Sequence, residues 1–158
     1  MPRVIVLDTF PLSSTGKRQP PPGGSPTTLD LCQRWVQDCI RAGNRVVAPA
    51  ICCYEAVREL ERLGAGTQIA RLRAFCHAVP DCHLPITDAQ LDLAAKLWAW
   101  TRNNGTPTAS VDALDGDVIL AAQVLSLGVA PQDLVVATTN VAHLSLFVPA
   151  DLWTNIVP

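Results

Sequence analysis

The sequence predicts an α/β fold in which a central, mostly parallel sheet is flanked by helices. Three observations lead there. "RVIVLDT" (3–9) and "DLVVATTN" (133–140) are continuous apolar runs that stop at polar residues, as strands buried on both faces do. Segments of helical periodicity, several closed by Gly, lie between them. Strands alternating with helices in this way are the pattern of crossover-connected parallel strands.

Each element can be justified in turn. After the first strand, "FPLSSTGKRQPPPGGSPT" is rich in Pro, Gly and Ser and reads as a long surface loop over 11–26. "TTLDLCQRWVQDCIRAG" (27–43) starts at Thr and stops at Gly, with Leu29, Cys32, Val36, Cys39 and Ile40 on one helical face. "RVVAP" (45–49) is a short strand, and "AICCYEAVRELERLG" (50–64) is a helix closed by Gly. "TQIARLRAFCHAV" (67–79) is a third helix, followed by a weak strand at "CHLPI" (82–86). Thr87 opens a long helix over 88–104, and "GTPTASVDALDG" reads as a loop. "DVILAAQVLSLG" (117–128) is a helix stopped by Gly128, with Asp115 suited to its N-cap and Asp117 to its first turn. "NVAHLSLF" starts a short helix, and "LWTNIV" closes the chain as an edge strand.

The 158 residues suit one domain, 1–158, with one core. No apolar run approaches the ~20 residues of a membrane span, and "MPRVIVL" lacks the features of a secretory signal. The expectation is a cytoplasmic protein with no membrane partner. A net charge of −2 argues against a generic nucleic-acid coat without excluding a local basic rim. That rim would come from arginine, since the chain has ten Arg against two Lys, and arginine favours bidentate contact with phosphate. Arg58, Arg62, Arg71 and Arg73 are its candidates, although a solvated face salt-bridged with Glu59 and Glu61 explains them more readily than RNA contact. The six cysteines form no C-x-x-C pair and read as reduced thiols. The "CH" pairs at 76–77 and 82–83 match no usual zinc spacing.

In parallel sheets, ligands bind at the carboxyl ends of strands where the strand order reverses. Asp8 and Thr138–Asn140 stand at such ends, Glu55 early in a helix, and Asp117 at a helix start. Carboxylates crowded together repel, and a hard divalent cation relieves the repulsion. Oxygen ligands point to Mg²⁺ or Mn²⁺, which could activate a water and shield a phosphodiester. Asp8, Glu55 and Asp117 are the candidate ligands, with Asp115 divided between cap and ligand. Thr9, Thr138 and Asn140 are auxiliary candidates. Asp112 reads as a loop carboxylate, and His143 as a packed neutral imidazole more readily than a general base. Trp35 and Trp98 read as core.

Taken in order, "VIVLDT", "VVAPAICCYEAVREL", "GTPTASVDALDGDVILAAQ" and "VVATTNVAHLSLF" together resemble the PIN-domain family, most closely its VapC-like toxin ribonucleases. The resemblance spans nearly the whole chain. It implies a PIN-like three-layer fold and a Mg²⁺- or Mn²⁺-dependent endoribonuclease with an RNA substrate. It also implies a homodimer and a small antitoxin partner. Asp8, Glu55 and Asp117 match the family's acids, Asp115 an additional one, and Asn140 the place of a fourth. The chain departs from the family at Phe10, where Asn or Ser is usual. It departs again at Ala50 and Cys53, where Glu and Asp are frequent.

These departures keep a second reading open, a PIN-fold binding module acting without turnover. A phosphotransfer fold with a strand-end Asp is a third. Phe10 occupies the place where one such family needs a second Asp, and the late Lys that the other needs is missing.

Overall fold

The computed structural model describes residues 2–104 and 111–158. In chain order the elements are β1 (Val4–Leu7), α1 (Thr9–Ser14), α2 (Thr28–Arg41), β2 (Arg45–Pro49), α3 (Ala50–Arg62), α4 (Gly66–Ala78) and β3 (His83–Leu84). They continue with α5 (Asp88–Asn103), α6 (Val111–Leu125), β4 (Leu134–Thr138), α7 (Val141–Leu144) and β5 (Ala150–Leu152). The strands form one sheet in the order β3-β2-β1-β4-β5, with every pairing parallel. The predicted α/β class is therefore the observed one.

Buried apolar side chains drive the central strands. All four residues of β1 and all five of β4 are buried, because helices cover both faces of the sheet. Val4 to Leu7 pair with Leu134 to Ala137 in register. The chain leaves β1 towards β2 on one side and leaves β4 towards β5 on the other. The order thus reverses between β1 and β4, which opens a crevice at their carboxyl ends.

Three boundaries differ from the sequence expectation. The segment read as a loop from residue 11 begins as helix α1. Asp8 caps that helix, its side chain accepting from Thr9 N. Pro11 falls in the first turn, where its missing N–H costs nothing, and Leu12 is fully buried as the anchor. Second, α6 starts at Val111, so Asp115 is not its N-cap and Asp117 is not in its first turn. Leu114, Val118 and Ala122 form one buried stripe against Ala94 of α5, and that packing carries the helix back through "DALDG". Residues 105–110 of the expected loop and the Asp112 side chain lie outside the described residues. Third, the edge strand is Ala150–Leu152, and Trp153–Asn155 turns away as a 3-10 segment. Trp153 packs on Trp35 with ring centroids 5.9 Å apart. The Trp35 indole donates to Ile156 O at 2.8 Å, which ties down the chain end.

Gln123 is a buried polar staple. Pro49 leaves α3 without a side-chain cap. Gln123 Oε1 reaches across to accept from Ile51 N at 3.3 Å, while Nε2 donates to Leu84 O at 2.8 Å and Pro85 O at 3.2 Å. One side chain on α6 thereby holds the start of α3, which carries Glu55. Among the described residues, no helix is long and apolar enough to cross a membrane. Gln123→Leu keeps the bulk and strands the buried Ile51 N–H together with the part-buried Leu84 and Pro85 carbonyls. The expected cost is about 1–3 kcal/mol in urea unfolding; an unchanged midpoint would show that the staple carries no stability.

Candidate active site

Asp8 follows β1 directly and is held from three sides. Its Oδ1 accepts from Thr9 N at 2.7 Å, and its Oδ2 accepts from Thr138 Oγ1 at 2.6 Å. The Cys52 thiol donates to Oδ1 at 3.6 Å. Thr138 is completely buried, and its hydroxyl also accepts from Asn140 N at 2.8 Å. With its single proton committed to Asp8, Thr138 orients a carboxylate instead of facing a ligand.

Glu55 enters the crevice from α3 and Asp117 from α6. Both line a cavity of about 410 Å³ together with Asp8, Thr9, Phe10 and Asn140. Burial and the neighbouring Asp8 charge push the Glu55 carboxyl above its usual range, and Arg58 opposes the shift. Burial pushes Asp117 up to about 6; the Asp8 charge adds to this, His143 opposes it, and Glu55 adds a further push. Two buried oxygens at this cavity, Thr9 Oγ1 and Asp117 Oδ2, have no hydrogen-bond partner.

The His143 ring stands closer to the chemistry than a packed imidazole would. Its Nδ1 lies 3.5 Å from Asp117 Oδ2 and 2.8 Å from Asn140 Nδ2. The Asn140 amide and the Asp117 carboxylate oxygen thus meet at the same ring nitrogen. The contact becomes attractive only when one of the two carries a proton.

The structure thus brings Asp8, Glu55 and Asp117 together, with Thr9, Thr138 and Asn140 around them. It does not bring in Asp115. Two residues apart on a continuous helix, Asp115 and Asp117 cannot share a face. Asp115 is exposed and lines a separate groove with Leu91, Trp98 and Ile119 between α5 and α6. Trp35 is core as expected, whereas Trp98 is half-buried at that groove. Arg62 is engaged by Glu59, its Nε donating to Oε2 at 3.0 Å, and Arg58 lies over the Tyr54 ring.

Gly116 is a site residue that the motif reading passed over. A Cβ at this position would stand 2.7 Å from Glu55 Oε1. An isolated Gly inside a helix costs about 1 kcal/mol relative to Ala, and here it lets α6 approach the Glu55 carboxylate. A Gly at the end of a segment that reads as a loop carries no signal of this, and it stands out only once α6 is seen to start at Val111.

The donor set fits a hydrated hard cation. Among the described residues, no group of three or more His, Cys, Asp or Glu side chains forms a ready-made ion cage. Mg²⁺ does not require one, because it keeps several waters and takes one or two carboxylates. A positive charge in the cavity would relieve the mutual repulsion of the three acids and would give a partner to the Asp117 oxygen that lacks a hydrogen bond.

No protein-family model and no curated protein matches the chain. Solved structures do. VapBC-1 from nontypeable Haemophilus influenzae is 17% identical with a TM-score of 0.62, over 96% of this chain and 99% of that one. FitAB bound to an IR36 DNA fragment is 17% identical with a TM-score of 0.66, over 98% of each chain. FitAcB from Neisseria gonorrhoeae is 19% identical with a TM-score of 0.63, over 96% and 99%. Similarity of this kind, end to end at low identity, is a statement about backbone architecture: the chain has the PIN-like fold that its four ordered motifs imply.

Proposed function

We propose that this chain is a Mg²⁺- or Mn²⁺-dependent endoribonuclease, the toxin of a type II toxin–antitoxin pair. The observation that carries the reading is the convergence of Asp8, Glu55 and Asp117 on one cavity at the β1/β4 crevice, where a buried Asp117 oxygen has the His143 ring 3.5 Å away and no hydrogen bond. The three acids would hold the cation. When bound, it would supply an activated water and charge stabilisation for the phosphodiester.

The protein's own residues prepare that chemistry. Thr138 and the Thr9 amide set the direction of Asp8. Gly116 admits the Glu55 carboxylate. His143, beside Asp117, can take or return a proton there. Asn140 and Thr139 line the rim, where an amide and a hydroxyl can meet phosphate oxygens. The resemblance to VapC-like toxins supports a small antitoxin partner, a homodimer and a cytoplasmic location. The fold shared with VapBC-1 and with a FitAB assembly on DNA is in keeping with such a partner. Phe10 lines the same cavity without offering a hydrogen bond, and this favours the second reading, a binding module without turnover.

Cleavage of a panel of structured RNAs with Mg²⁺ or Mn²⁺ separates the two. Asp8→Asn is expected to reduce cleavage about 100-fold or more, the scale of a metal's charge stabilisation, and EDTA to abolish it. Equal cleavage by variant and wild type would sink the nuclease reading; no cleavage by either, with any metal, would leave the binding module. Gly116→Ala tests the Glu55 pocket. The added methyl displaces a flexible carboxylate and improves helix propensity, so unfolding midpoints should hold or rise while cleavage falls. A parallel loss of both would refute that role.

Asp117 makes a further test through pH. Its folded pKa of about 6 lies above its ordinary value of 3.8. The folded state therefore binds the proton more tightly, and ionisation costs stability. Without metal, stability should rise as pH falls from about 6 towards 4, and the penalty should be complete above 6. Asp117→Asn should stabilise the EDTA-treated protein at pH 7 by on the order of 2–3 kcal/mol and flatten that slope. A destabilised variant with the wild-type slope would contradict the buried, repelled carboxylate.

A further inference from the structure

We propose that Cys53 and Cys76 form an oxidisable dithiol, a modification site for hydroperoxides on the side of α3 that faces α4. The adjacent cysteines of "ICCYE" have different surroundings. Cys52 points to Asp8 and is fully buried. Cys53 is half-buried, with its Sγ 4.0 Å from Cys76 Sγ and 3.9 Å from His83 Nδ1. Both Cys53 and Cys76 line a groove of about 380 Å³, together with Tyr54, Arg73, His77 and His83. An oxidant of peroxide size can enter there, and a bridge would require the sulfurs to close from 4.0 Å to about 2 Å.

The surroundings also bear on which sulfur reacts. Either of the Cys53 and Cys76 sulfurs can donate to the other, and the His83 and His77 rings favour a thiolate at Cys76 while its burial opposes one. Elsewhere burial pushes Cys32 up to about 11 and Cys39 up to about 12, and holds Cys52 well above its ordinary value. Those three are inert thiols by comparison.

The step balances without a metal. The Cys76 thiolate attacks the terminal peroxide oxygen, and the O–O bond breaks. The departing alkoxide takes the proton that Cys76 released, leaving a sulfenic acid. Cys53 sulfur then attacks Cys76 sulfur, the S–O bond breaks, and hydroxide leaves as water with the Cys53 proton. Two thiols lose two electrons and two protons, and one hydroperoxide becomes an alcohol and water. The bridge ties α3 to α4 two residues before Glu55.

The test treats the native full chain with hydrogen peroxide in EDTA, alkylates the remaining thiols, and maps tryptic peptides without reduction. The expected product joins peptide 46–58 to peptide 74–96 through Cys53 and Cys76, while Cys32 and Cys39 stay alkylated. Cys82→Ala should keep that link. Cys53→Ser should lose it and instead let a sulfenic-acid trap label Cys76, a signal that also reports a folded site. The inference is overturned by a link that persists in Cys53→Ser or by a bridge from Cys76 to Cys82. It is also overturned if Cys76 oxidises no faster than Cys32 and Cys39, or if Cys53→Ser yields no trapped sulfenic acid.

Discussion

The parallel pairing of β1 with β4 is the constraint on which the rest depends. It sets Asp8 beside Thr138 although 130 positions separate them in the chain. It also holds Asp8 N against Ala137 O at 3.1 Å, so both strand ends stop at the same level. A carboxylate placed directly after a buried strand would be costly alone. Here it caps α1 and accepts the Thr138 hydroxyl, and those bonds satisfy it while fixing its direction. The two roles cannot be separated, since the bonds that stabilise the start of α1 also aim the acid into the crevice.

The acids that face Asp8 are less well satisfied. Burial and mutual repulsion raise both Glu55 and Asp117, and one Asp117 oxygen is buried without a hydrogen-bond partner. Around them the fold is tightly fastened. Gln123 holds the start of α3, and the stripe Leu114, Val118 and Ala122 seats α6 on α5. A rigid frame that keeps like charges close is how an electrostatic cost is concentrated at one place, and a cation would remove that cost. On the opposite side of α3, Cys53 and Cys76 sit in surroundings of a different character, with two sulfurs in contact and two imidazoles lining the same groove.

Much of this was legible in the residues. Asp8, Glu55 and Asp117 stand out because carboxylates beside apolar runs are improbable without a purpose, and the structure places all three at one cavity. Asp115 is not the N-cap that a start for α6 at 117 implies. The buried stripe shared with α5 pulls the helix six residues earlier, to Val111, and turns Asp115 to the far side. His143 was discounted because nothing local shows that α7 lies beside α6. The thiol pair was invisible for the same reason, as 23 positions separate Cys53 from Cys76.

What the sequence by itself determined was the class of fold and which carboxylates to expect together at one crevice. Both follow from short-range pattern: apolar runs that must be buried, periodicities that name helix or strand, and polar residues where those runs stop. Only the tertiary structure decided helix boundaries and side-chain company. It decided that α6 begins at Val111, that Gly116 makes room for Glu55, that His143 meets Asp117, and that Cys52 and Cys53 have separate fates. The physical reason is that burial pattern is local to a segment, whereas the last few ångströms between side chains are set by how segments far apart in the chain pack against one another.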